Sequence, residues 1–298
     1  MPPVKLRNDP SAMRRPGKVA VVTGASTGFG RAIAVELARQ GYWAFAGIRD
    51  SESRNSKKAA EIQAEAAGGR GRLSVVDLDV RDDDSVTSAV TSVLSLAGRI
   101  DALVNNAGFG VHGPWELTSI VDAEREFDTN FFGPFRVSKA VVPVMRDQRG
   151  GRIVNVSSDV AIGVSFLEAT YAASKWALEA MSLGMRFELK QFGISVSVVE
   201  PGLYLSTAYD NNMKLTIDFE KPTGPYAEMV RHFNAMRQQK EIGHQDHRDV
   251  AQCVSRILKA DKPKFRYAVG VALPRTVRLK VDAYEDFLFD YFDMGAFK

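Results

Sequence analysis

The chain has 298 residues, 45% of them hydrophobic and 25% charged, ordinary values for a globular protein able to bury a sizeable core. Its net charge of +3 comes from Lys5, Arg7, Arg14 and Arg15 against Asp9 within residues 1–17, so the remainder sums to zero and gives no basis for a nucleic-acid surface. One cysteine, Cys253, excludes an intrachain disulfide and fits a reducing compartment, and no run of about 18 apolar residues offers a membrane span.

Residues 1–17 lack the apolar segment of a signal peptide and carry four prolines besides Asp9, which argues against an amphipathic transit peptide. They read as a flexible arm on a soluble, cytoplasmic protein. Val19 to Thr23 is a short, continuously apolar, β-branched run, as expected of a strand buried on both faces. The segment GASTGFG follows, and a helix then runs from Arg31 to Gln40, ended by Gly41. A second strand is predicted at Trp43 to Gly47, a polar helix from about Ser53 to Ala67, and a third strand at Leu73 to Leu78. The helix from Asp82 to Leu96 opens on acidic residues, which suits its dipole. Asp101 to Asn105 is the fourth strand.

The spacing next predicts one long helix from about Ile120 to Met145, interrupted in character by Gly133 and Pro134. A strand at Ile153 to Val156, a helix from about Thr170 to Phe192 and a strand at Ser195 to Glu200 follow. Residues 203–244 lose periodicity and read as a long excursion over the site. Helix returns at Asp246 to Lys259, and Phe265 to Val269 reads as a last strand. Beyond about residue 270 an acidic–aromatic extension could form a terminal helix with Val281, Tyr284, Leu288, Tyr291 and Phe292 on one face, packed on its own domain or on a sister subunit. Short buried strands alternating with helices imply an α/β fold, one domain from residue 18 onward, with a parallel sheet covered on both faces. Ligands of such sheets lie outside the C-terminal strand ends.

The candidate chemistry sits at those ends. Gly24, Gly28 and Gly30 lie between a buried strand and a helix, where a pyrophosphate could meet unpaired N–H groups and positive potential. Arg49, just past the second strand, suits a ribose 2′-phosphate better than a 2′-hydroxyl, and points to NADP(H) over NAD(H). Asn105 and Asn106 could bond a cofactor ribose and the neighbouring backbone. Tyr171 and Lys175 share a helix face one turn apart, and an ammonium there would lower the tyrosine pKa towards neutrality. Ser158 stands thirteen residues upstream at a strand end, with Ser157 as the alternative. His244 and His247 come nearest to metal-ligand spacing, but without a second cluster they read as solvated or capping residues, and no metal is expected. His112 lies near the expected substrate mouth and could touch substrate.

The set TGASTGFG, DLDV at Asp77–Val80, NNAG, Asn130, Ser158, YAASK and Pro201–Gly202 resembles the short-chain dehydrogenase/reductase family in its compact single-domain branch. The resemblance is co-linear from about Gly17 to Gly202, and looser to Val269. It implies a Rossmann-type doubly wound parallel sheet of about seven strands with helices on both faces. It implies that Gly24, Ser26, Gly28, Phe29 and Gly30 cradle the pyrophosphate and that Asp79 and Val80 contact the adenine. Asn106, Ala107 and Gly108 would line the adenosine-side ribose and the sheet centre, and Pro201 and Gly202 would flank the nicotinamide. Tyr171 would exchange a proton with the substrate oxygen as hydride moves, helped by Ser158. Lys175 would hold the nicotinamide ribose and tune Tyr171, and Asn130 would anchor a relay water. Phe29 departs from the family's small aliphatic residue. Ser206 stands where the family has a nicotinamide-binding threonine, with Thr207 one residue later. A homodimer or homotetramer built on the helices at Ile120–Met145 and Thr170–Phe192 is also implied. The aromatic loop residues Phe109, His112, Trp115, Phe166, Tyr204 and Tyr209 suit a hydrophobic carbonyl or alcohol substrate. The rival readings are an NAD(H)-dependent alcohol dehydrogenase of the same family and a catalytically silent dinucleotide-sensing protein. An epimerase of the larger branch fits less well, because its glycine loop differs.

Overall fold

The computed structural model describes residues 17–202, 204, 213–237, 246–270 and 283. In chain order the elements are β1 (Val19–Thr23), α1 (Gly28–Arg39), β2 (Trp43–Ile48), α2 (Ser56–Ala66), β3 (Arg72–Asp77), α3 (Asp83–Ala97) and β4 (Ala102–Asn105). They continue with β5 (Gly110–His112), α4 (Ile120–Phe127), α5 (Gly133–Asp147), β6 (Gly151–Val156), α6 (Ala169–Leu189) and β7 (Ile194–Pro201). Last come β8 (Met213–Leu215), α7 (Ala227–Arg237), α8 (His247–Lys259) and β9 (Arg266–Val269).

Seven strands form one parallel sheet in the order β3-β2-β1-β4-β6-β7-β9. The apolar run of β1 is buried along its whole length because helices cover both faces. On one face Ile33 and Leu37 of α1, Ile62 of α2 and Val250, Val254 and Ile257 of α8 pack in one cluster. On the other, Val86 and Val93 of α3, Val137, Val141 and Met145 of α5 and Leu189 of α6 form a second. The chain leaves β1 in one direction and returns through β4 in the other. That reversal of strand order opens a crevice at the C-terminal ends of β1 and β4.

Two departures from the sequence reading bear on the site. The single helix expected over Ile120–Met145 is three pieces, with a π turn at Asp128–Phe132 between α4 and α5. The Gly133 N–H reaches five residues back to the Asp128 carbonyl, and Pro134, having no N–H, cannot serve the Asn130 carbonyl four residues back. The break therefore falls before the Gly–Pro pair and carries Asn130.

Among its described residues, the excursion after β7 contains regular elements that its composition did not suggest. β8 pairs in parallel with β5, and α7 contributes Val230 and Phe233 to a separate cluster with Phe219 and Leu167. Three-residue strands are too short to show periodicity. The arm, the terminal helix residues Val281, Tyr284, Leu288, Tyr291 and Phe292, and Ser206, Thr207, Tyr209 and His244 lie outside the described residues.

Candidate active site

A cavity of about 700 Å³ occupies the crevice, running from Arg49 and Asp79 past the glycine turn to Ser158, Tyr171 and Lys175. Its floor is the start of α1. Asp82, Ser119 and Asp246 cap α3, α4 and α8 with side-chain hydrogen bonds, but Thr27 at the start of α1 makes none, and no acidic residue stands in that first turn. The positive end of α1 is thus left for a ligand, as a pyrophosphate site requires. Gly24 turns at φ +64°, and a Cβ there would come 2.7 Å from the Ala107 Cα, so the turn depends on glycine.

The two asparagines at the end of β4 do different work. The Asn106 Nδ2 donates to the Thr23 carbonyl at 3.0 Å and the Gly24 carbonyl at 3.2 Å, while Thr23 Oγ1 accepts from the backbone N–H groups of Asn106 and Ala107. This amide holds the glycine turn in shape. Asn105 points into the core, donating to Asn155 Oδ1 at 2.8 Å and Ser138 Oγ at 3.1 Å. Sequence alone could not separate the two, because adjacent residues on a strand face opposite sides.

At the β2 end of the cavity, Arg49 is 42% exposed, 3.7 Å from Asp79 and 3.9 Å from Asp50. Burial works against the Asp79 charge, but hydrogen bonds and charge from Arg81, with Arg49 beyond, outweigh it and hold the carboxyl below its ordinary value. Val80 is buried beside it. At the opposite end Pro201 closes β7, and the Gly202 N–H is tied to the Val269 carbonyl. Phe29 packs edge-on against Tyr204 and His247, with ring centres 4.9 and 5.1 Å away, so the bulky residue of the glycine loop has an aromatic socket.

α6 presents Tyr171 and Lys175 to the end of β6. The Lys175 ammonium is buried and donates to the Val156 carbonyl at 3.0 Å. Burial pushes its pKa down to about 8, against the pull of Glu126 and Glu179. Tyr171 behaves opposite to expectation. Burial pushes the phenol above its ordinary value, a hydrogen bond with Ser158 works against this, and the charges of Glu168, Asp159 and Glu126 add to it. The Lys175 Nζ stands 5.7 Å from the phenol ring centre, so its influence is outweighed by desolvation and three carboxylates.

The two serines divide in the same way as the asparagines. The Ser157 hydroxyl donates to Glu179 Oε1 at 2.5 Å, whereas Ser158 lines the cavity with Tyr171 and donates weakly to Asp159 at 3.3 Å. Asn130 uses both ends of its amide. Its oxygen accepts from the Phe109 N–H at 3.1 Å, and its nitrogen donates to the Phe109 carbonyl at 2.9 Å and Ser174 Oγ at 3.0 Å. Gly108 lets this happen, since a Cβ there would lie 3.0 Å from Asn130 Oδ1 and 3.6 Å from Lys175 Nζ.

Three carboxylates around Tyr171 escaped the sequence reading. Glu126 is fully buried, accepts from the Val111 N–H at 2.7 Å and is pushed by burial up to about 7. Asp159 is pushed by burial up to about 6. Glu168 stands immediately before the start of α6, and its side chain makes no capping bond there. The signals were an acid directly after the candidate serine and a second acid three residues before the tyrosine. His112, expected at the mouth, is completely buried, with Nδ1 3.2 Å from Glu168 Oε1.

The short chain dehydrogenase family profile matches residues 18–217. Human retinol dehydrogenase 8 is 32% identical over 271 residues, covering 88% of this chain and 85% of that one. A solved short-chain dehydrogenase from Streptomyces avermitilis is 30% identical, covers 92% of this chain and 96% of its own, and superposes with a TM-score of 0.77. A metagenomic short-chain oxidoreductase solved in complex with NADP is 26% identical, covers 87% of this chain and 99% of its own, and has a TM-score of 0.67.

Proposed function

This chain belongs to the short-chain dehydrogenase/reductase family, whose members act on CH–OH groups with a nicotinamide dinucleotide, and from that premise we propose that it interconverts a hydrophobic carbonyl and its secondary alcohol with NADP(H), Tyr171 serving as acid and base. The observation that carries this is the placement of Ser158, Tyr171 and a buried Lys175 on the wall of the same cavity as the uncapped start of α1.

The bound nicotinamide supplies or takes the hydride. The protein's share is to bind, orient and move a proton. Ser158 and Tyr171 together offer two hydrogen bonds to one substrate oxygen, and the phenol proton passes to that oxygen in reduction. Lys175, fixed by the Val156 carbonyl, is in position to hold the nicotinamide ribose and to favour the phenolate when the alcohol is oxidised. Asn130 keeps the loop after β4 registered on α6, and its backbone carbonyl is the candidate anchor for a relay water. Gly24, Ser26, Gly28, Phe29 and Gly30 are the candidate pyrophosphate cradle, Asp79 and Val80 the adenine contacts, and Asn106, Ala107, Gly108, Pro201 and Gly202 the remaining cofactor wall. Ser206 and Thr207 are proposed for the nicotinamide amide on sequence grounds.

Tyr171→Phe tests the reading. NADPH should still quench intrinsic fluorescence with little change in Kd, while turnover of carbonyls falls about a hundredfold or more. Retained turnover in that variant sinks the assignment. A wild type that binds NADPH yet reduces no member of a broad carbonyl panel would favour the silent dinucleotide sensor. The cofactor preference rests on Arg49, whose exposed guanidinium borders the adenosine end of the cavity. Arg49→Gln should weaken NADPH binding about tenfold or more and leave NADH nearly unchanged. Equal dissociation constants in the wild type would overturn the preference.

Exposed Ile120 and Val121 on α4, Phe135 on α5 and Trp176 on α6 support a homodimer or homotetramer built on these helices. Among the described residues no helix is long and apolar enough to cross a membrane.

A further inference from the structure

Beside the Tyr171 ring, two parts of the chain far apart in sequence are tied together. The Gly113 N–H donates to the Leu167 carbonyl at 2.8 Å. This bond sets His112, the last residue of β5, next to Glu168, the residue that begins α6. The His112 Nδ1 lies 3.2 Å from Glu168 Oε1, and the imidazole is tilted 31° against the phenol ring of Tyr171 with ring centres 5.8 Å apart.

Leu167 holds this corner in a left-handed backbone conformation, φ +64°, which a branched side chain rarely adopts. The side chain that stabilises the conformation is buried among Phe219, Val230 and Phe233. Backbone strain of this kind persists only where the surroundings over-determine it, and it gathers at functional sites. Here it turns the next residue, Glu168, into the cavity that Tyr171 lines. β8 supports the same corner from outside, since the Thr216 N–H donates to the His112 carbonyl at 2.9 Å.

We propose that His112 and Glu168 are a positioning pair for Tyr171, His112 lying against the phenol ring and beside the Glu168 carboxylate, so that the carboxylate stands as a like charge opposing the phenolate until substrate and cofactor are bound. The proposal rests on Tyr171 being the acid–base residue. The other groups facing the phenol are Glu126 from α4, Asp159 from the turn after β6, Ser158 beside it and Lys175 from α6 itself. Of the three carboxylates, Glu168 has the largest influence on the phenol, and it acts in the direction the proposal requires.

A phenol that keeps its proton is ready for carbonyl reduction, and alcohol oxidation then waits for higher pH. Removing the Glu168 charge therefore lowers the pH at which oxidation sets in, because a like charge no longer opposes the phenolate.

The test is the pH profile of kcat for alcohol oxidation in the wild type, Glu168→Gln, His112→Phe and the double variant. Glu168→Gln should move the midpoint of the rising limb down by about one pH unit. His112→Phe keeps a ring against Tyr171 but frees the carboxylate, so its midpoint should move the same way, and it should add nothing in the Glu168→Gln background. A Glu168→Gln enzyme with reduced kcat and an unmoved midpoint would make the pair merely structural and overturn the proposal. Loss of all turnover in both single variants, with unchanged melting temperatures, would overturn it too, since a tuning charge adjusts proton transfer without supplying it. If Glu168→Gln does not fold, the His112→Phe midpoint decides in the same sense. A wild type that oxidises no alcohol would sink the reading of Tyr171 itself, which separates that failure from failure of the pair.

Discussion

Tyr171 and Lys175 show how much a single side chain's chemistry depends on what surrounds it. Their spacing puts them on one helix face, which favours mutual electrostatic influence. Burial then drives the phenol up and the ammonium down, and three carboxylates reinforce the first effect. Glu126 offers the cleanest way to measure this local field. Its carboxyl is raised from 4.5 to about 7 with no exposure to solvent. A carboxyl raised on folding contributes stability that is fully present below the unfolded value and is lost as pH rises through the folded one. The wild type should therefore lose of the order of 3 kcal/mol from this residue as pH rises from about 4.5 to about 7. Glu126→Gln keeps an oxygen for the Val111 N–H and should be flatter across that window and more stable than the wild type at pH 8. Denaturant unfolding at a series of pH values reads both. An unchanged pH dependence would show that the Glu126 carboxyl ionises at the same pH in the folded and unfolded chain, so that burial does not raise it.

Elements carry the next level of organisation. β1, α1 and the glycine turn between them were legible because each leaves a local mark, namely a buried apolar run, helical spacing and three glycines. α1 shares an uncapped N-terminus with α2, α5 and α6, but its own follows the glycine turn on the cavity wall. Gly24→Ala tests the turn. An added Cβ meets the Ala107 Cα, a backbone atom that cannot swing away, and the residue must hold φ +64°. The variant should lose more than about 1 kcal/mol of stability and at least about tenfold in NADPH affinity, read by thermal unfolding and fluorescence titration. Wild-type affinity in this variant would mean that the turn does not approach the cofactor. The π turn at Asp128–Phe132 was harder to see. A sequence with Gly133 and Pro134 announces an interruption, but the place of the break depends on Asn130 finding Phe109 and Ser174, 21 and 44 residues away.

Across the whole molecule the sheet order and both core layers follow from the alternation of strands and helices, and the family profile agrees with them. A buried ion cluster joins three of these elements at the far edge. Arg266 of β9 pairs with both Glu179 of α6 and Glu200 of β7, and Glu179 also accepts from Ser157. Removing the guanidinium leaves two carboxylates buried together, a far costlier state than losing a surface pair. Arg266→Ala should destabilise the fold by about 3–5 kcal/mol in urea unfolding, with a shallower loss at acid pH where the carboxylates can take up protons. A change below about 1 kcal/mol would show the cluster to be solvated.

The sequence by itself determined the sheet, the dinucleotide turn, the Tyr–Lys pair and the family, because these rest on local periodicity and on residue types at fixed spacing. The thirteen-residue spacing already favoured Ser158 over Ser157, but only the tertiary structure decided that Ser157 serves Glu179, that Asn106 holds the glycine turn while Asn105 enters the core, and that His112 lies against Tyr171. It also decided that the tyrosine is made less acidic by its surroundings. The physical reason is the same in each case. Which way a side chain faces depends on the strand or turn it ends, and how strongly a charge acts depends on burial. Both are set by contacts between residues distant in the chain, and no local pattern encodes them.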